Sequence, residues 1–157
     1  MRVGIGYDVH PLKTGRDLVL GGVHIVHTEG LDGHSDADVL THAVIDALLG
    51  AASLGDIGRL FPPDDPSFEG ASSLDLLSAA GAALGKAGYR VVNVDSTLIA
   101  EAPRLSAHLD AMRTNLAARL ALEVGQVSVK ATSPEGLGAL GRRSGMAAQA
   151  IVLIDER

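Results

Sequence analysis

Residues 35–52 have the sequence SDADVLTHAVIDALLGAA, in which apolar side chains recur every three or four positions. This spacing matches the 3.6-residue period of an α-helix and predicts a helix over residues 36–52. Ser35 can cap its N-terminus, with Asp38 at the third helical position, as in a capping box. We expect one face of this helix to be buried, formed by Leu40, Ala43, Val44, Ala47, Leu48 and Ala51.

The segments around this helix predict a mixed α+β architecture in one domain that spans residues 1–157. Alternating or short apolar runs predict strands at residues 2–7, 17–26, 90–99, 127–132 and 146–154. Helical spacing predicts a second helix that opens at Ser72 or Ser73 and a third over residues 103–124, which would join two strands in a right-handed crossover. We expect helices on one face of a mixed sheet, and an alanine-rich opposite face that could pack against copies of the chain. The long loop at residues 55–70 is of a kind that is often functional.

The composition excludes several classes of function. The chain has a net charge of −6 and only 3% aromatic residues, so nucleic-acid binding is not expected. It has no cysteine, which leaves His, Asp and Glu as the side chains that could bind a metal ion. No signal peptide or membrane-spanning apolar run is recognisable, so a cytoplasmic protein is expected.

Three residues could form a metal site. Asp8 and His10 lie two positions apart just after a predicted strand, so their side chains would point the same way. His42 lies on the helix face opposite the buried one, between Asp38 and Asp46, either of which could orient its ring. Two histidines and one aspartate with an open position suit catalytic Zn²⁺. The alternative is a hydrogen-bonded Asp–His pair at a strand end and a structural or solvated histidine on the helix.

Two other segments could bind phosphate. Residues 33–35 precede a helix N-terminus, where backbone N–H groups and the helix dipole favour an anion, although a simple N-cap beside a surface histidine fits as well. Residues 130–138 leave a strand and enter a glycine-rich loop, whose Lys, Thr and Ser could donate to phosphate while Glu135 could hold Mg²⁺. Residues 142–143 are arginines that could grip a terminal phosphate, or could form the solvated basic end of an ordinary turn.

Taken together, these segments resemble the 2-C-methyl-D-erythritol 2,4-cyclodiphosphate synthase family of the non-mevalonate isoprenoid pathway. The resemblance is carried by ordered blocks at matching spacing, which are far more specific than any single motif. The blocks are GYDVH at 6–10, GHSDADVLTHA at 33–43, DALLGA at 46–51, GDIG at 55–58, FP at 61–62, NVD at 93–95, AEAPRL at 100–105 and KATSPEGLG at 130–138.

This resemblance implies an activity and an assembly. The family is composed of phosphorus–oxygen lyases that convert 4-diphosphocytidyl-2-C-methyl-D-erythritol 2-phosphate to the cyclic 2,4-diphosphate, with release of CMP. The 2-phosphate attacks the β-phosphorus within the same molecule. Family members have a ferredoxin-like sheet and form homotrimers, in which the sheets face the threefold axis and the active sites are shared between subunits.

The resemblance also implies roles for individual residues. Zn²⁺ would be bound by Asp8, His10 and His42, and a second divalent ion, Mg²⁺ or Mn²⁺, would be held through Glu135. Hydrogen bonds from His34 and Ser133 would support the developing charge. The implied substrate contacts are Asp8, Val9, His10, His34, Ser35, Asp56, Ile57, Gly58, Phe61, Pro62, Pro63, Asp64, Asp65, Ala100, Glu101, Ala102, Pro103, Arg104, Leu105, Ser106, Thr132, Ser133, Pro134, Glu135 and Arg142.

The chain departs from the family pattern at a few positions. Family members commonly carry Asp at the position of Pro63 and Thr at the position of Ser133, where serine keeps the hydroxyl. Ala139 and Ser144 replace an aromatic residue and a carboxylate near the centre of the family's trimer. We therefore expect unchanged core chemistry, and no binding of isoprenoid diphosphates in the central cavity.

Two other functions are compatible with parts of this pattern. A phosphohydrolase would use the same metal to activate water, but would not need the extended block at residues 100–106. A non-catalytic trimeric nucleotide-binding module would bind CMP without turnover, but would not need the metal residues.

Overall fold

The computed structural model describes all 157 residues, which form seven strands and five helices. The strands are β1 (Arg2–Thr14), β2 (Leu18–Leu20), β3 (Val23–Ile25), β4 (Glu29–Leu31), β5 (Tyr89–Ile99), β6 (Val127–Thr132) and β7 (Gly145–Glu156). The helices are α1 (Val39–Ala51), α2 (Ile57–Leu60), α3 (Ser73–Lys86), α4 (Leu109–Arg119) and α5 (Gly138–Gly141). None of these helices is both long enough and apolar enough to cross a membrane.

A five-stranded mixed sheet in the order β4-β1-β7-β5-β6 organises the chain, and β2 and β3 form a separate hairpin. β5 and β6 are parallel and are joined through α4, whereas the other neighbouring strands are antiparallel. Helices α1, α3 and α4 pack against the sheet and against one another. The predicted mixed α+β architecture, with helices on one face of a mixed sheet, is therefore confirmed.

Helix α1 is the centre of the core and lies directly on β1 and β7. The predicted apolar face is buried, and so is nearly every other residue of the helix. Gly4 and Gly6 of β1 allow this close approach, because a Cβ atom at Gly4 would lie 2.0 Å from the carbonyl oxygen of Ala47, and one at Gly6 would lie 1.9 Å from that of Ala43. Since neither position can hold a side chain, the backbone of β1 is fixed against the helix.

The start of α1 differs from the prediction. The helix begins at Val39, and Asp38 is the N-cap, which accepts from the backbone N–H of Thr41. The same carboxylate accepts from the backbone N–H groups of Gly21 and Gly22 in the β2–β3 turn. Ser35 is therefore not the cap. Asp38 is fully buried rather than on a polar outer face, because its carboxylate accepts from the backbone N–H groups of the helix N-terminus and of the buried turn.

Other element boundaries also differ. β1 runs seven residues beyond the predicted strand at 2–7 and therefore contains Asp8 and His10. The predicted strand at 17–26 is the β2–β3 hairpin, and β4 was not predicted because its three residues lie in a polar, glycine-containing segment. The predicted helix at 103–124 is shortened to α4, because residues 101–108 form bends and turns before it and the chain turns again at residues 120–121, where Ala121 has a positive φ.

The uncovered face of the sheet is apolar along β1 and is not alanine-rich. Val3, Ile5 and Tyr7 of β1, together with Ile151 of β7, are half-exposed or more. Ala148 and Ala150, by contrast, pair with Asp8 and Gly6 on the buried face that packs on α1. The prediction of an alanine-rich outer face was wrong, because the small residues are needed where the helix approaches the sheet closely.

The Gly6→Ala substitution tests the close approach of β1 and α1. We expect it to lower the free energy of unfolding by about 3 kcal/mol, the upper part of the usual range for overpacking, since the added methyl group meets the helix backbone rather than a mobile side chain. Gly125→Ala is the matched control, because nothing lies within 4 Å of a Cβ atom at that position. Urea unfolding measures both, and equal stabilities for the two variants would contradict this packing.

Candidate functional site

Asp8, His10 and His42 meet where β1 passes the N-terminal end of α1. The Asp8 Oδ2 atom lies 2.9 Å from His10 Nε2 and 3.0 Å from His42 Nδ1. The two ring nitrogens are 3.2 Å apart. One nitrogen or oxygen atom from each residue thus faces the same point, with all three within 4.8 Å of one another. The two-residue spacing on β1 and the helical position of His42 produce this convergence, which the residue pattern left open and the family resemblance implied.

This donor set fits a divalent transition-metal ion. Two imidazoles and one carboxylate are the ligands of many catalytic zinc sites, and they leave a coordination position open. In each ring, the nitrogen that points away from the other two residues has its own hydrogen-bond partner. For His10 this nitrogen is Nδ1, which lies 2.8 Å from the carbonyl oxygen of Asp32. A carbonyl oxygen can only accept, so Nδ1 carries the proton and Nε2 is free for a metal. The residues therefore suit zinc in both type and tautomer.

The partners of His42 are two hydroxyl groups. Its Nε2 atom lies 2.8 Å from Ser73 Oγ and 3.1 Å from Ser35 Oγ. Asp38 and Asp46, the partners that the sequence indicated, do not hydrogen-bond the ring: Asp38 caps α1, and Asp46 accepts from the backbone N–H of Ile57 at 2.8 Å. Sequence reasoning missed Ser73, because its only signal was a serine at the start of a predicted helix.

The electrostatics of the site favour an anionic Asp8. Burial alone would raise the pKa of Asp8, but hydrogen bonds and positive charge from His10 and His42 outweigh burial and hold that pKa well below its usual range. Burial would also lower the pKa of His10, yet its hydrogen bond and attraction to Asp8 raise the pKa overall. A proton and a metal ion therefore compete for the same ring nitrogen.

A cavity of about 220 Å³ opens over the three residues. The segment at residues 55–70 closes one side of it, with Phe61 and Phe68 in edge-to-face contact at 5.3 Å between ring centroids. His34 is held there by its Nε2 atom, 3.3 Å from the carbonyl oxygen of Asp65. The predicted site residues that line this cavity are Asp8, His10, His34, Ser35, His42, Ile57, Gly58, Phe61 and Pro63.

Two other predicted residues of this segment have structural contacts instead. The Asp56 side chain caps α2 by accepting from the backbone N–H of Arg59 at 2.9 Å. Asp65 accepts from the backbone N–H of Ser67 at 2.9 Å, which caps a short 3₁₀ turn at Pro66–Phe68. Among the contacts predicted within residues 8–65, those that do not line the cavity are Val9, Asp56, Pro62, Asp64 and Asp65.

A second cavity of about 490 Å³ lies at the C-terminal ends of the parallel pair β5 and β6. Glu101 shapes its rim: its Oε2 atom accepts from Ser133 Oγ and from the backbone N–H of Gly136, both at 3.1 Å. The predicted residues that line this cavity are Ala100, Glu101, Pro103, Arg104, Leu105, Ser106, Thr132 and Ser133. The structure thus brings together two blocks that are about 30 positions apart in sequence.

The two cavities share no lining residue within one chain. Both lie at the same end of the sheet, where Val9, Ala147 and Ile99 are register neighbours on β1, β7 and β5. β1 and β6 are three strand spacings apart, or about 14 Å. Glu135 and Arg142 are not among the lining residues of either cavity, so a single chain does not unite every predicted site residue.

Comparison with known proteins gives a consistent result. A family model described as the YgbB family matches residues 1–155. The chain is 59% identical over 156 residues to a 2-C-methyl-D-erythritol 2,4-cyclodiphosphate synthase of Syntrophomonas wolfei, covering 99% of each chain. It is similar to the IspF–CDP complex of Plasmodium falciparum, with a TM-score of 0.87, 33% identity and coverage of 99% of this chain and 96% of that one. It also matches the bifunctional IspDF of Campylobacter jejuni at a TM-score of 0.96 and 42% identity, covering 99% of this chain and 42% of that longer chain.

The stabilising effect of zinc should depend on pH. In the metal-free protein, the raised pKa of His10 gives stability that is fully present below its ordinary value of 6.5 and is lost as pH rises through the raised value. Zinc binding requires the neutral ring of His10, so the stability that zinc adds increases as pH rises. We expect the zinc-induced rise in melting temperature to grow between about pH 6 and pH 8. Thermal unfolding with EDTA or with zinc measures this, and a rise that shrinks toward pH 8 would contradict the assignment.

Proposed function

The chain belongs to the YgbB family of 2-C-methyl-D-erythritol 2,4-cyclodiphosphate synthases, and from this membership we propose the reaction that it catalyses. The reaction is the conversion of 4-diphosphocytidyl-2-C-methyl-D-erythritol 2-phosphate to 2-C-methyl-D-erythritol 2,4-cyclodiphosphate with release of CMP, a phosphorus–oxygen lyase activity in isoprenoid precursor synthesis. The observation that carries the proposal is the convergence of Asp8, His10 and His42 beside a cavity, in a chain that matches the family from residue 1 to residue 155.

The bond changes of this reaction balance within one substrate molecule. An oxygen of the 2-phosphate forms a bond to the β-phosphorus, and the bond from the β-phosphorus to the oxygen of the α-phosphate breaks. CMP leaves with that electron pair, and no water is consumed. The nucleophile is already ionised, so the barrier is the approach of two anions, and the protein must supply positioning and positive charge.

Asp8, His10 and His42 would hold the zinc ion, which when bound supplies positive charge that polarises phosphate oxygens. The low pKa of Asp8 keeps its carboxylate ionised for this role. A second ion, Mg²⁺ or Mn²⁺, would be held through Glu135, whose exposed side chain is free of intramolecular hydrogen bonds.

His34 and Ser35 would hold the phosphorylated methylerythritol. Both line the metal cavity, and the ring of His34 is positioned by the carbonyl oxygen of Asp65. Phe61 and Phe68 reduce the access of water, which would favour attack by the 2-phosphate over hydrolysis. The segment that contributes them would also supply the remaining contacts from Asp56 to Asp65.

The cavity beside β5 and β6 would bind the cytidine end of the substrate. Residues 100–106 would present backbone groups to the nucleotide, and Thr132 and Ser133 would donate to the diphosphate. In the free protein the Ser133 hydroxyl donates to Glu101, so it would have to turn away from Glu101 to donate to the diphosphate. Arg142 would add positive charge near the phosphates, and Pro134 would shape the turn between them.

We propose further that the functional form is a homotrimer of ferredoxin-like domains, one per chain. The apolar side chains of Val3, Ile5, Tyr7 and Ile151 are exposed on the sheet face that carries no helix. A patch of this kind is typical of an interface. The metal cavity and the nucleotide cavity of one chain share no residue, which is what sites completed by a neighbouring subunit would require.

Incubation with the diphosphocytidyl substrate and Mg²⁺ tests the reaction. We expect CMP and cyclic diphosphate in equal amounts by ³¹P NMR, with no oxygen-18 incorporated from labelled water. A linear product that contains oxygen-18 would overturn the proposal in favour of a phosphohydrolase. CMP binding without turnover would overturn it in favour of a nucleotide-binding module.

The His42→Ala substitution should remove both the metal and the activity. We expect zinc content to fall to near zero and turnover to fall by more than the roughly 100-fold that is the upper range for loss of a supporting residue. His24→Ala is the control, since His24 lies exposed on β3 outside the site. Elemental analysis of the purified proteins, together with the CMP-release assay, measures both. Full zinc occupancy in His42→Ala would contradict the ligand assignment.

A further inference from the structure

We infer that Asp36 and Ser73 form a positioning relay that fixes the ring of His42 for the metal. The inference rests on the proposed function, in which His42 is a zinc ligand. Three groups are linked by consecutive hydrogen bonds on the side of the ring away from Asp8 and His10: the carboxylate of Asp36, the hydroxyl of Ser73 and the Nε2 atom of His42. These hydrogen bonds connect the loop before α1 with the first residue of α3 and with α1 itself.

The geometry fixes the direction of the Ser73 hydroxyl. Ser73 is fully buried, and its Oγ atom forms a short hydrogen bond to Asp36 Oδ1. The backbone N–H of the same serine donates to Asp36 Oδ2 at 2.9 Å. An ionised carboxylate can only accept, so the hydroxyl hydrogen points to Asp36 and an oxygen lone pair points to His42. Ser73 is thus gripped at two points by a single side chain.

This hydroxyl direction selects the tautomer of His42. Nε2 lies 2.8 Å from an oxygen whose hydrogen is already used, so Nε2 must carry the ring proton and donate it. The opposite tautomer would place two lone pairs against each other inside the protein, which is costly. The remaining nitrogen, Nδ1, therefore presents its lone pair toward Asp8 and His10, where the metal ligands converge.

The relay also leaves the hydroxyl of Ser35 available. Ser35 Oγ accepts from the backbone N–H of Ala37 at 3.2 Å and lies 3.1 Å from His42 Nε2. Because Nε2 has its closest partner in Ser73, the Ser35 hydrogen is not required by the ring. Ser35 lines the metal cavity, so its hydroxyl can donate to a phosphate there. The two serines beside His42 thus divide the tasks of holding the ring and contacting the substrate.

Zinc affinity of the Ser73→Ala variant tests the relay. We expect the zinc dissociation constant to be 10- to 100-fold larger than that of the wild type, the usual effect of removing a group that orients a metal-bound histidine. Ser78→Ala is the matched control, because Ser78 lies on the same helix and its hydroxyl bonds only the backbone carbonyl of Leu74, at 3.2 Å. Its zinc affinity should stay within about twofold of wild type. Competition with a chromophoric chelator, in the absence of substrate, measures all three proteins.

The ring proton supplies a readout that a purely structural role for Ser73 would not change. In the zinc-loaded wild type, ¹H–¹⁵N NMR of the imidazoles should show a protected Nε2–H on His42 and a protected Nδ1–H on His10. In Ser73→Ala, the His42 Nε2–H should exchange faster with water, because only Ser35 Oγ, at 3.1 Å, remains to accept it, while the His10 signal persists because Asp32 still holds it. Unchanged zinc affinity together with a protected His42 proton in Ser73→Ala would overturn the relay.

A second variant, Asp36→Asn, tests the relay even if Ser73→Ala does not fold. Asp36→Asn keeps the hydroxyl of Ser73 but removes the charge that orients it, so a smaller loss of zinc affinity in the same direction is expected. Wild-type affinity in Asp36→Asn with an unaltered His42 proton would refute the relay even if Ser73→Ala does not fold. If zinc affinity depends on Ser73 but the wild type forms no cyclic product, the relay stands and the proposed reaction fails. If the product forms and Ser73→Ala binds zinc like wild type, only the relay fails.

Discussion

The contact between β1 and the backbone of α1 determines where Asp8, His10 and His42 lie, the three side chains that could hold a metal ion. Gly4 and Gly6 bring the strand so close to the helix that a methyl group at either position would overlap a helix carbonyl oxygen. Asp8 and His10 continue the same side of the strand, because alternate residues of a strand share a face. His42 lies one residue before Ala43, which contacts Gly6. The glycines therefore set the distance at which two side chains from the strand can meet one from the helix.

The proposed metal ligands depend on hydrogen-bond partners that the surrounding core supplies. The Nδ1 atom of His10 is held by a backbone carbonyl oxygen, and the Nε2 atom of His42 is held by the hydroxyl group of Ser73. Burial would otherwise make an anionic Asp8 costly, and its two histidine neighbours compensate. The site is thus ready to exchange a proton for a cation with little movement, because each ring nitrogen already faces its partner.

The sequence predicted the parts of this arrangement that follow from local periodicity. Helix α1, its buried face and the shared direction of Asp8 and His10 all derive from spacings of two or of three to four residues. The role of Asp38 could not be predicted, because it depends on a β2–β3 turn that is distant in sequence and that donates to it. The role of Ser73 could not be predicted for the same reason, because its contact with His42 joins residues 31 positions apart. Family resemblance supplied the residues at the ends of β5 and β6, for which periodicity carries no signal.

β1 joins the chemistry of the chain to its proposed assembly. One side of the strand carries the glycines that pack on α1 and then the ligands Asp8 and His10, while the other side carries Val3, Ile5 and Tyr7. A partner subunit that buries the apolar side would restrain the pleat of the strand, and the pleat fixes the direction of the ligands on the opposite side. The apolar row and the metal ligands therefore constrain each other, because a one-residue shift in the register of β1 would exchange the two sets. This coupling would let the strand bear the proposed metal site and also serve as the proposed interface, because the same alternation that exposes one set of side chains buries the other.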